Sequence, residues 1–292
     1  APGSYTLTSR LEIPAGITLR GGGRGATVLN ITINGMSAIE LDSHSAVTDL
    51  TVAVTTGGLF EIFRVSGIEN YRIENIEYVL SEAGSALLVG SSSEATGRIS
   101  NITIRGASTT SQAVFFISSG GSQMFLDNVF IDTTVAGNPF VFTVFNDSTL
   151  NLRHSYINIK RSPESSGSAT VLRTTGTEAV SVSNSEFISD VVMSSNSRII
   201  DHTGSGTLTA RGLTVTCKSG DSGECIRATN GTVTLYHSAI TTPTGLTGIN
   251  ASGSSVVNLL FSQLSGGNTS GTVNCVSVVD EALVYADSTC PS

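Results

Sequence analysis

The chain has 292 residues, of which Ser (43), Thr (36) and Gly (31) supply 110 while charged residues make up 13%. That composition excludes a coiled coil, and 23 acidic against 15 basic residues, a net charge of -8, exclude a nucleic-acid binder. A hydrophobic fraction of 39% with a mean hydropathy of +0.19 excludes disorder, and no apolar run approaches the roughly 18 residues of a membrane span.

From the N-terminus, PGSYTLTSRLEIPAGITLRGGG reads as short strands broken by turn residues, and a phrase then recurs. Its form is apolar, x, apolar, x, Asn or a substitute, apolar or Ser, x, apolar. A weak first copy at Ile17 is followed by SAVTDLTV from Ser45, YRIENIEY from Tyr71, GRISNITI from Gly97, MFLDNVFI from Met124 and LNLRHSYI from Leu150. VSVSNSEF from Val180, LTARGLTV from Leu208, VTLYHSAI from Val233 and VNLLFSQL from Val257 complete ten copies. The third positions are Leu19, Val47, Ile73, Ile99, Leu126, Leu152, Val182, Ala210, Leu235 and Leu259, spaced by 24 to 30 residues. A second apolar strand follows each of the nine anchors from Val47 on: FEIFRV, ALLV, AVFFI, FVFTVF, ATVLR, SRIID, ECIRA, TGIN and VNCV. Both strands alternate with period 2 and neither has helical spacing.

Such units cannot bury an apolar face alone, so they are expected to stack about 4.8 Å apart as parallel strands around a continuous core, a rod roughly 48 Å long. The fifth position holds Asp49, Asn75, Asn101, Asn128, His154, Asn184 and His237, with Gly21 and Gly212 also fitting. A tight bend needs a residue that tolerates positive φ and bonds locally, which Asn does best after Gly, and stacked Asn side chains can bond along the rod. With this asparagine column the chain resembles the right-handed parallel β-helix proteins of the pectate-lyase-like superfold. The resemblance covers nearly the whole chain and implies an all-β, single-stranded right-handed parallel β-helix of about ten coils over residues 1–279. The tail, 280–292, is expected to cap the last coil, where open strand edges would otherwise seed aggregation.

Cys217 and Cys225, and Cys275 and Cys290, are each close in sequence, so two local disulfides are the simplest of the three pairings. Closing loops of 9 and 16 residues would stabilise the fold by about 2.6 and 3.1 kcal/mol. Disulfides imply a secreted or cell-surface setting.

The superfold hosts lyases, hydrolases, esterases, epimerases, phage tailspikes and adhesins, so the resemblance leaves function open. The Asn-Thr-Asp, Asp-Asp and Gly-His-Gly marks of polygalacturonase-like hydrolases are missing. Aligning ATVLR, SRIID and ECIRA by their central apolar residues puts Arg173 one coil from Asp201, with Arg198, Glu224 and Arg227 close by and His202 just beyond. In pectate-lyase-like proteins this strand lies beside the usual cleft. The group reads either as a ladder of surface ion pairs or as a lyase site in which Arg227 or Arg198 holds a carboxylate and Arg173 or His202 moves the proton. Asp201, Asp221 and Glu224 are weak candidates for calcium, and no other cofactor is indicated. Turn bonding alone accounts for His154 and His237.

No Trp is present, and Phe63, Phe115, Phe145, Tyr156 and Tyr236 are the candidates for outward aromatic display. From Ala228 to Val279, 52 residues carry no Lys, Arg, Asp or Glu. A neutral, hydroxyl-rich surface suits contact with a polysaccharide or cell-surface glycan, a protein surface, or another copy of the chain. The leading expectation is an adhesin-like binding scaffold rather than an enzyme. A lyase acting on an acidic polysaccharide and a trimeric phage-type fibre or spike are the alternatives.

Overall fold

The computed structural model describes the chain except for residues 34, 36, 56–60, 81–86, 109–113, 136–139, 162–168, 191–197, 219–222, 244–245, 280–284, 287–289 and 291–292. Every regular element among the described residues is a strand, and no helix there is long and apolar enough to cross a membrane. The strands form an eighteen-stranded and an eleven-stranded sheet, stacked in parallel as a β-solenoid of the right-handed type.

Sequence periodicity sets the register. The ten anchors pair from rung to rung without slippage, Leu19 with Val47, Val47 with Ile73, and so on to Leu259. The stack then runs one rung further than the ten phrases. Leu259 pairs with Cys275, so VNCV (Val273–Val276) opens a new rung of the larger sheet instead of completing the last coil. The smaller sheet ends on Asn268–Ser270, three polar residues without an apolar pattern to announce them.

The fifth position of the phrase is the corner of each coil. Asp49, Asn75, Asn101, Asn128, His154, Asn184 and His237 all have φ between 46° and 62°, and Gly212, Phe261 and Ser277 extend the column with φ of 63°, 51° and 51°. One left-handed residue resets the alternation, so the third and sixth positions both point inward. Ile73 and Ile76, Ile99 and Ile102, and Leu126 and Val129 are all buried. Asn75 donates to Asp49 (2.6 Å) and Asn128 to Asn101 (2.8 Å), tying successive corners together. Asn128→Ala is expected to destabilise the protein by about 1–2 kcal/mol, because alanine keeps the Cβ crowding of the left-handed region without the local hydrogen bonding that lets asparagine tolerate it, and Asn128→Gly by less. Equal losses in urea titrations of the two variants would assign the effect to the ladder bond instead.

Where the sixth position is Ser, the hydroxyl replaces a missing ladder bond. Ser155, Ser185, Ser238 and Ser262 donate to the carbonyl two residues earlier at 2.8 to 3.0 Å. Each also accepts a backbone N–H from the preceding coil at 3.2 or 3.3 Å. Without them those N–H groups would be buried and unpaired.

In the smaller sheet one inward column runs Ile39, Phe63, Val89, Phe116, Phe142, Leu172, Ile200, Ile226, Ile249. The Phe116 and Phe142 rings stack at 5.2 Å. Phe63, expected to face outward, is fully buried in this column. A second left-handed corner leads from this sheet into the next coil through residues such as His44, Asn70, Asn146, Asp147 and Asn230.

Both local disulfides are formed, with Cα separations of 6.0 Å for Cys217–Cys225 and 5.2 Å for Cys275–Cys290. Of the tail, Tyr285–Ala286 pairs antiparallel with Val278–Val279.

Candidate functional site

The smaller sheet brings the predicted charged residues together as the alignment expected. Strands Thr170–Thr175, Arg198–His202 and Glu224–Thr229 place Arg173 opposite Asp201, and Asp201 opposite Arg227, on the outer face. Arg227 grips Asp201 as a fork, Nε to Oδ1 at 2.7 Å and Nη2 to Oδ2 at 3.1 Å. Arg198 donates to Glu224 at 2.9 Å, and Asn250 donates to the other oxygen of that carboxylate. The Arg173 guanidinium lies 5.2 Å from the centre of the Phe140 ring. The Asp201 side chain is 8% exposed and that of Arg198 12%, so these pairs are partly desolvated and each is satisfied by its partner.

His202 does not join them. Successive residues of a strand face opposite ways, and the one after Asp201 points into the core, where it is fully buried. Its Nδ1 lies 2.5 Å from Thr174 Oγ1 and its Nε2 3.2 Å from the Gly206 carbonyl, the arrangement of a neutral ring accepting from Thr174 and donating to Gly206. Burial holds its pKa below the ordinary histidine value. Of the calcium candidates, Asp201 and Glu224 are each engaged by an arginine, and Asp221 lies outside the described residues. Among the described residues no three His, Cys, Asp or Glu cluster as a metal would need.

The charge-free coils hold a different surface. His237 and Phe261 occupy successive corners, and their rings stack at 5.5 Å with 16° between planes. They border an open hollow of about 630 Å³ that also includes Gln263, Ser277 and Val279. Phe261 is 56% exposed, a large apolar ring offered to solvent where the column elsewhere carries Asn, Asp, His, Gly or Ser.

Of the aromatic residues expected outward, Tyr156 stacks on Phe130 at 5.1 Å and Tyr236 lies beneath Arg211, while the Phe115 side chain lies outside the described set. Sequence reasoning passed over Phe125, Phe130 and Phe261. Their places in the phrase (second, seventh and fifth) are outward or corner positions and carried the signal.

No protein-family model and no curated protein sequence matches the chain. Among solved structures it is similar to the A-module of the Azotobacter vinelandii mannuronan C-5 epimerase AlgE6, with a TM-score of 0.56 and 11% identity over 96% of this chain and 89% of that one. The AlgE4 A-module of the same organism aligns at a TM-score of 0.41 and 12% identity over 100% and 90% of the two chains. The catalytic domain of a GH87 α-1,3-glucanase aligns at 0.37 and 10% over 97% and 61%. The likeness to the AlgE6 module is one of fold, and defines the chain as a parallel β-helix protein.

Proposed function

We propose that the protein is a secreted or cell-surface scaffold that binds a glycan through its charge-free C-terminal coils. The observation that carries this reading is the exposed Phe261 ring stacked on His237 beside a hollow with hydroxyl and amide groups. A flat aromatic face receives the C–H face of a pyranose, and the surrounding Ser and Gln groups can bond its hydroxyls without the desolvation cost of a charge. Two disulfides support an extracytoplasmic setting. A fold shared with a mannuronan epimerase module is compatible with glycan contact, by architecture only.

The ion pairs of the smaller sheet support the scaffold over the lyase alternative. Asp201 and Glu224 neutralise Arg227 and Arg198, the groups a lyase would need to hold a substrate carboxylate, and His202 faces away from them. In this reading residues 1–279 form the β-helix and 280–292 cover its last coil.

Retention on immobilised dextran, mannan, galactan and β-glucan tests the proposal. At least one polymer should retain the protein, and Phe261→Ala should weaken that binding by about tenfold, or about 1.4 kcal/mol. Retention indifferent to Phe261→Ala, or release of unsaturated uronides from an acidic polysaccharide, would refute it.

A further inference from the structure

The outer face of the strands that precede the asparagine corner carries a second feature. Two adjoining hollows of about 370 and 400 Å³ share Arg98 and Phe125 and together span positions from Asn70 to Ser183, forming one trough along the coil axis. Its floor is a single column with one residue per rung: Arg72, Arg98, Phe125, Asn151 and Ser181 in unbroken register.

Three observations bear on what fits there. Phe125 is 38% exposed although it sits in a fully regular strand, so it offers an apolar face within a polar wall. Arg98 is exposed and forms no ion pair or hydrogen bond through its side chain among the described residues, in a chain with an excess of acidic groups. Two carboxylates line the trough, both opposite Ser100 on the rungs to either side of it, and one of them, Asp127, is already bound by Arg153 at 3.1 Å and by His154 at 2.9 Å. Against some opposing burial, those bonds hold Asp127 below the usual carboxylate range, so it stays ionised and engaged. Glu74 is the remaining carboxylate of the trough, and it shares a strand with Arg72.

We propose that this trough binds a carboxylate-bearing polysaccharide laid along the coil axis, with Arg98 taking a sugar carboxylate and Phe125 the C–H face of a neighbouring sugar. The guanidinium is a planar fork matched to both oxygens of a carboxylate, and the ring supplies contact that a purely electrostatic site lacks. Asn151, Ser181 and Ser183 supply bonding groups for hydroxyls further along. The rung spacing of about 4.8 Å is close to the length of one sugar in an extended chain, so successive sugars can meet successive rungs. The inference rests on the glycan-binding reading but places a second, acidic-sugar site on a different face, with residues that the charge-free coils do not share.

The test is titration calorimetry of the whole protein with polygalacturonate, its fully methyl-esterified form and dextran sulfate. Polygalacturonate should bind, esterification should weaken binding at least tenfold, and added salt should weaken it further. Arg98→Ala should reproduce the effect of esterification, Arg98→Lys should restore only part of it, and Phe125→Ala should cost several-fold. Both side chains are exposed, so thermal melts of the three variants should match wild type and exclude misfolding. Phe261→Ala should leave polygalacturonate binding unchanged. Polygalacturonate binding indifferent to Arg98→Ala, or dextran sulfate bound as tightly, overturns the proposal. Retention on neutral glycans alone, lost in Phe261→Ala, overturns the trough and leaves the first reading standing. Binding to no polymer overturns both.

Discussion

Phe142→Ala is expected to destabilise the β-helix by about 3–5 kcal/mol, measured as the shift in a urea transition. Phe142 is 1% exposed, stacks on Phe116, and stands in the inward column between Phe116 and Leu172. The size of the effect follows from the architecture. Losing the ring forfeits its transfer free energy, and a further cost depends on how far the walls can close over the void. In a solenoid they close poorly, because parallel ladders on both sides hold the flanking strands at their rung spacing. Phe130→Ala is the matched control. That ring also stacks on a neighbour, Tyr156, but on the outer face and 43% exposed, and it should cost less than about 1 kcal/mol. Losses of similar size in the two variants would mean that the Phe142 site collapses, and that the rung spacing is softer than the ladders imply.

The same architecture explains what could be read from the chain beforehand. A parallel stack repeats its environment at every rung, so the inward anchors recur visibly from Leu19 to Leu259 and the left-handed corner leaves its column from Asp49 to His237. Alignment of three apolar centres then sufficed to place Arg173, Asp201 and Arg227 opposite one another. What escaped was whatever breaks repetition. The polar last strand of the smaller sheet shifted VNCV into the wrong sheet, and the second corner varies too much in composition, from His44 to Asn230, to form a motif. His202 was placed beside Asp201 by proximity in sequence, although the alternation that made the strand recognisable already assigned it to the other face. Phe125 and Phe261 were hidden for a different reason: a phrase defined by its inward residues says nothing about which outward residue gathers a trough around it.

Glu178 was equally invisible, since a glutamate in TGTEAV reads as a solvated turn residue, and it governs the second large expected effect. It is 1% exposed, neither carboxyl oxygen has a hydrogen-bond partner, and the nearest cationic candidate, His202 Nδ1, lies 3.8 Å away. Gly204 leaves room beside it, since a Cβ there would meet a Glu178 carboxyl oxygen at 2.8 Å. Burial, opposed by weaker pulls from the Glu178 backbone N–H and the Thr174 hydroxyl and aided by the like charge of Asp147, raises the Glu178 pKa above 4.5, while burial lowers that of His202 below 6.5, so both groups favour their neutral forms. The two act on stability in opposite directions. As pH rises past 4.5 the unfolded chain releases the Glu178 proton while the folded protein keeps it, so its contribution is complete below 4.5 and is lost as pH climbs through the raised folded value. The His202 contribution is complete above 6.5 and is lost as pH falls from there through the lowered folded value. Glu178→Gln should therefore remove a decline of up to about 1.4 kcal/mol per pH unit on the alkaline side of 4.5 and leave the acid limb of His202 in place. His202→Gln should do the reverse. Unfolding free energies of wild type and Glu178→Gln measured from pH 4 to 9 decide the matter. Parallel curves would mean that the carboxyl group ionises in the folded protein as readily as in the unfolded chain, which an unpartnered carboxylate in that interior could do only if water reaches it.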